Sequence, residues 1–212
     1  MTDRIADIDI PDSQLAKEAT ELVRQGAGPL LFDHSRRVYL FGALQGRRRG
    51  LVYDPEILYV AAMFHDLGLT ERHNQSQQRF ELDGADDARD FLRSHGLDEE
   101  SARLAWTAIA LHTTPEIPSH MEPEIALVTA GVEADVLGMG LDDIPAEARK
   151  EIVAAHPRPD FKRRILQAFT EGIAHRPQTT FGNVKADVLE HFVPGFRHID
   201  FVEIIQNSDW PE

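Results

Sequence analysis

The stretch from Asp54 to Gly68 constrains this chain more than any other. Asp54-Pro55 reads as an N-cap followed by a first-turn proline. The apolar run Ile57-Leu58-Tyr59-Val60-Ala61-Ala62-Met63-Phe64 then reads as a helix that Gly68 ends. A helix this apolar on all sides must be buried. At its end it carries His65 and Asp66. Neighbouring helical side chains point about 100° apart, so the two reach one point only at the helix end or over a seam. A carboxylate taken into a core is costly unless something neutralises it. The fold must therefore bring other groups to Asp66.

The remaining pattern is helical nearly throughout. Helices are expected over about 12–25, about 30–45 with the apolar line Leu30, Leu31, His34, Val38 and Phe41, and from Pro55 to about Asp66. Others are expected over about 84–95, from Asp98 to His112 until Pro115 and Pro118 break the pattern, and from Pro123 through Asp135. Three more fall near about 145–155, 160–174 and 183–192. Strand signals are weak, and no hairpin dipeptide is flanked by alternating residues. The fold class is all-α, a bundle of about seven to ten helices. One domain is expected, with a core over about 29–140 and a C-terminal helical extension over about 156–212, divided near His156-Pro157-Arg158-Pro159.

Composition narrows the chemistry. There is no cysteine among the 212 residues, so any metal must be held by His, Asp or Glu. The same absence fits a cytoplasmic enzyme. The formal net charge of −14 disfavours nucleic acid and anionic membranes as partners. No apolar run approaches a membrane span. A small-molecule substrate is expected, with a homo-oligomer open. The one basic cluster, Arg47-Arg48-Arg49 between Gly46 and Gly50, reads as a solvated loop rather than a phosphate clamp.

His34 lies on the apolar line of its helix, and Asp135 follows Val132, Gly131 and Val128 by three, four and seven residues, on their apolar face. Two inward histidines and two inward carboxylates solve their burial problem jointly around one divalent cation. His34, His65, Asp66 and Asp135 are accordingly the candidate ligands. The mixed nitrogen and oxygen set suits zinc first, with iron, manganese or nickel as alternatives. Of the other histidines, only His112 has an inward-facing case, which favours a single ion.

The ordered set His34, His65-Asp66, Asp135 resembles the ligand pattern of HD-domain metalloenzymes. Within that superfamily, His34-Ser35-Arg36-Arg37-Val38 is similar to the His-Ser-x-Arg-Val start of cyanamide hydratases. His65-Asp66-Leu67-Gly68-Leu69-Thr70-Glu71 resembles their His-Asp-Leu-Gly-Thr-Thr-Glu segment, and Phe80-Glu81-Leu82-Asp83-Gly84 their Phe-Glu-x-x-Gly segment. Leu69, Ala85 and Thr113-Thr114-Pro115 depart from that branch. The resemblance implies a metal-dependent hydratase adding water to cyanamide or a small nitrile. Glu71 or His112 would then act as general acid and base, with Thr70, Glu81 and Asp83 orienting ligands or substrate. Glu81 and Asp83 are also suited to capping the helix near Gly84. The superfamily's phosphohydrolases are the alternative, and a non-catalytic regulatory domain, in which ligands are expected to be missing, is the third reading.

Overall fold

In the computed structural model, which describes residues 3–210, a short antiparallel hairpin precedes ten α-helices. The hairpin pairs β1 (Arg4–Ile5) with β2 (Ile8–Asp9). The helices are α1 (Gln14–Gly26), α2 (Gly28–Arg49), α3 (Pro55–Phe64), α4 (Phe80–Ser94) and α5 (Glu99–Leu111). They continue with α6 (Pro123–Val132), α7 (Ala146–Ala155), α8 (Phe161–Ile173), α9 (Lys185–Phe192) and α10 (Phe201–Gln206). The all-α architecture expected of the sequence is the one observed. The hairpin was not foreseen: its turn residues Ala6 and Asp7 adopt φ of 52° and 61° without the glycine or asparagine that usually announces such a turn. Among the described residues, no helix is long and apolar enough to cross a membrane.

Local signals set most helix starts. The Asp54 carboxylate accepts from the amides of Glu56 and Ile57, Ser13 accepts from Ala16, and Asp98 accepts from Ser101. Two boundaries differ from expectation. The cluster Arg47-Arg48-Arg49 is not a loop but the last turn of α2, where cations favour the helix dipole. There Arg48 pairs with Asp143 at 2.7 Å, and Arg47 donates to the Asp7 carbonyl. Helix α4 begins at Phe80 rather than near Gly84, so Glu81 and Asp83 lie inside its first turn and do not cap it.

Helix α3 is buried along its length from Ile57 to Phe64 and forms the axis of the bundle, flanked by α1, α2, α4, α5 and α6. Helices α2 and α6 meet backbone to backbone. A Cβ added to Gly131 would lie 2.2 Å from the Val38 carbonyl oxygen, and one added to Gly42 would lie 2.6 Å from that of Leu127. At the end of α3 the chain turns sharply under α4, where a Cβ on Gly68 would sit 1.9 Å from the Phe80 carbonyl oxygen. A second, smaller core then joins this turn to the C-terminal helices through Leu69, Phe80, Phe161, Ile165, Ile173 and Leu189. Buried Arg176 fastens the join. Its guanidinium donates to the carbonyls of Gly68 at 2.6 Å, Gln78 at 2.8 Å and Gly172 at 2.9 Å, and it pairs with Asp83.

Candidate metal centre

Three buried side chains from two elements converge at the end of α3. His34 arrives from α2, and His65 and Asp66 leave the last turn of α3. The α-helix ends at Phe64, and Asp66 has already turned to φ −106°, which lets adjacent residues face one point. His34 Nε2 lies 3.6 Å and His65 Nε2 lies 3.3 Å from Asp66 Oδ2. The two Nε2 atoms are 3.2 Å apart.

Proton placement makes this geometry informative. His65 Nδ1 meets the Ala62 carbonyl at 2.7 Å, and His34 Nδ1 meets Asp135 Oδ2 at 2.6 Å. Carbonyl and carboxylate oxygens only accept, so both Nδ1 atoms donate. Both Nε2 atoms then present lone pairs to each other, an arrangement that is repulsive unless a cation or a proton lies between them. His112 repeats the pattern at the end of α5: its Nδ1 donates to the Ile109 carbonyl at 2.6 Å, leaving Nε2 bare 3.6 Å from Asp66 Oδ1. Both Asp66 oxygens and His112 Nε2 are buried without a hydrogen-bond partner. Such orphans are rare and costly in a folded core. Burial holds the His34 imidazole below its ordinary pKa despite Asp135, which keeps it neutral for ligation. Burial opposes the Asp66 charge, but His65 and the other imidazoles outweigh it and hold the carboxyl well below the usual range. Burial likewise lowers His65, yet Asp66 turns the net shift upward. A divalent ion among His34, His65 and Asp66 answers all of these demands.

Asp135 is placed differently from expectation. It stands behind the His34 ring, outside the group whose ligand atoms share one point. Arg37 grips it with two bonds of 2.8 and 2.9 Å, and Arg158 Nε approaches at 3.0 Å. Burial opposes its charge, but His34 and then Arg37 outweigh it and hold the carboxyl far below the usual range. The physical reason is local. Residues Glu133–Leu137 form a π-helical turn, so a count of 3.6 residues per turn from Val128 and Val132 does not carry through Asp135. In this position Asp135 fixes the orientation and tautomer of a candidate ligand.

The other expected residues divide. His112 lines the cavity over the cluster. Glu71 is exposed and lies outside that cavity's lining, and Thr70 Oγ1 is spent on the Leu67 carbonyl at 2.6 Å. Asp83 is held by Arg176, Ser76 and Gln78. Glu81 accepts from Arg79 at 2.9 Å, from the Thr113 hydroxyl and from buried Lys185. Burial opposes its charge, but Lys185 and Arg79 bring its pKa to about 2. Burial outweighs Glu81 at Lys185, which falls to about 8. Arg37 stood in the sequence only as the arginine of the His-Ser-x-Arg-Val resemblance, without a role, and Arg176 and Lys185 were not singled out. The only signal for Arg176 and Lys185 was two carboxylates on the buried side of α4 that needed cations from elsewhere.

The cavity over the cluster encloses about 250 Å³. Its floor is His34, His65, Asp66 and His112, and among the described residues its only other ionisable lining residue is Glu133. Among the described residues, no lysine or arginine lines it. A family model described as HD domain matches residues 31–155. The comparison with curated proteins found no match.

Proposed function

The chain belongs to the HD-domain family, and from that premise we propose that it is a metal-dependent hydratase acting on a small neutral substrate, cyanamide or a small nitrile. The observation that carries this reading is the cavity wall. An enzyme that grips a phosphate ordinarily presents arginine, lysine or a second metal to it. Here the wall offers no lysine or arginine, and Glu133 adds an acid. The Arg47–Arg49 cluster lies elsewhere, at the exposed end of α2.

Zinc is the first expectation for the ion, and its chemistry would be to lower the pKa of a water from about 16 toward about 7. The remaining work belongs to the chain. His34, His65 and Asp66 would hold the ion, and Asp135 would keep His34 in its ligating tautomer. His112 turns its Nε2, which has no hydrogen-bond partner, to the cavity. It takes a proton from the attacking water as the carbon–oxygen bond forms and one carbon–nitrogen π bond breaks. It then returns that proton to the nitrogen, and tautomerisation gives the amide, or urea from cyanamide. Glu81 and Lys185 fix Thr113 at the cavity wall, where its backbone and that of Thr114 can orient the substrate.

Elemental analysis of protein purified without chelator, followed by a panel of cyanamide, acetonitrile, deoxynucleoside monophosphates and bis(p-nitrophenyl) phosphate, tests the reading. Stoichiometric divalent metal and amide or urea formation are expected. Phosphate or nitrophenol release without hydration would transfer the protein to the phosphohydrolases of the family. Full metal loading with no turnover of any substrate would remove the hydratase assignment.

A further inference from the structure

The cavity is larger and more apolar than cyanamide needs. On one side Val132, Val136 and Leu137 line it, from the end of α6 and the π-helical turn. The facing side is supplied by Leu166 and Phe169 of α8, and by Val184 and Val188 at the start of α9. An apolar cavity of roughly 150 Å³ suffices for benzene. The 250 Å³ here therefore holds a group of that size beside the reacting atoms. At the mouth Leu137, Leu166 and Val184 are 66%, 37% and 48% exposed. Apolar side chains left open around a concave site are what a hydrocarbon ligand covers. The family match ends at residue 155, so this facing wall comes from outside the matched segment.

We infer that the site takes a neutral substrate carrying a benzene-sized hydrocarbon group, and that Leu166, Phe169, Val184 and Val188 select it. The identity of the reacting group, a nitrile, rests on the hydration reading above. The shape and polarity of its substituent do not. Glu133 at the wall excludes substrates with an anionic substituent.

The test uses the full zinc-loaded chain with acetonitrile, cyanamide and benzonitrile, and measures calorimetric binding of benzamide, an unreactive product, against acetamide. The expected kcat/KM for benzonitrile exceeds that for acetonitrile by roughly a hundredfold, since each buried methylene is worth about fourfold. Leu166→Trp fills the cavity from its exposed rim. It should raise KM for benzonitrile roughly tenfold or more and weaken benzamide alike, a larger effect than on cyanamide, which has no hydrocarbon group to displace. Val184→Trp, at a second exposed rim position, repeats the test if Leu166→Trp does not fold. Preference for cyanamide over benzonitrile, or benzonitrile kinetics unmoved by both variants, overturns the inference and leaves hydration standing. If no nitrile reacts but benzamide binds and either variant weakens it, hydration fails and the apolar site stands. No reaction and no binding removes both.

Discussion

At the residue scale, His34, His65 and Asp66 could be found in the sequence because each sits in an apolar helical pattern where a polar side chain needs a reason. Asp135 was legible as buried but not in its role. Counting by 3.6 residues per turn assumes a regular helix, and the π-helical turn over Glu133–Leu137 breaks that count. The distinction is measurable. Asp135→Asn should lower metal affinity by about 10–100-fold, the range for a residue that orients a ligand. Metal titration should show stoichiometric binding abolished in His34→Ala or Asp66→Ala, and loss as complete in Asp135→Asn would make Asp135 a ligand itself. His112→Ala should keep its metal and lose roughly 10²–10⁴-fold in kcat. A metal-free His112→Ala protein would show instead that Nε2 ligates. Glu81 gives a pH signature. Its pKa falls from 4.5 to about 2 on folding, so its stabilisation is present above pH 4.5 and disappears as pH drops toward 2. At about 1.4 kcal/mol per unit this is up to about 3 kcal/mol. Denaturation at stepped pH should show that component in the parent chain and not in Glu81→Gln.

At the scale of elements, nine of the ten helices described were expected, α10 was not, and two boundaries, the end of α2 and the start of α4, fell elsewhere than expected. Caps such as Asp54 and Asp98 are local and write themselves into sequence. The start of α4 was missed because its N-cap, Arg79, makes no side-chain cap, and Glu81 and Asp83, which resemble caps, answer instead to Lys185 and Arg176 about a hundred residues away. The closeness of α2 to α6 was equally hidden, since a glycine in a helix announces nothing until its neighbour is known. Gly131→Ala must push against the Val38 backbone rather than a pliable side chain. It should cost about 1–3 kcal/mol or more, read as a lower melting temperature with the helical circular dichroism retained. An unchanged melting temperature would mean that the two helices slide apart freely.

For the whole molecule, the all-α class and the convergence of the ligand helices were legible from periodicity. The clasp between the C-terminal helices and the site was not, because nothing near Arg176 in sequence points to Gly68 or Asp83. Metal and fold are linked at this scale, since an ion that binds only the folded chain stabilises it by mass action. With free zinc at a hundred times its Kd the gain is about 2.7 kcal/mol, worth roughly 5–10 °C at this length. Calorimetry with and without chelator should record that shift in the parent chain and none in Asp66→Asn. The Arg176 clasp also orders events in time. Its bonds to Asp83 and Gly68 span 93 and 108 residues, and contacts so distant close late in folding. A chain emerging from the ribosome therefore exposes the His65-Asp66 turn well before Arg176 arrives to pin it. Pinning of the turn waits on a residue made long after the turn itself, so the candidate centre is assembled in two steps separated in time.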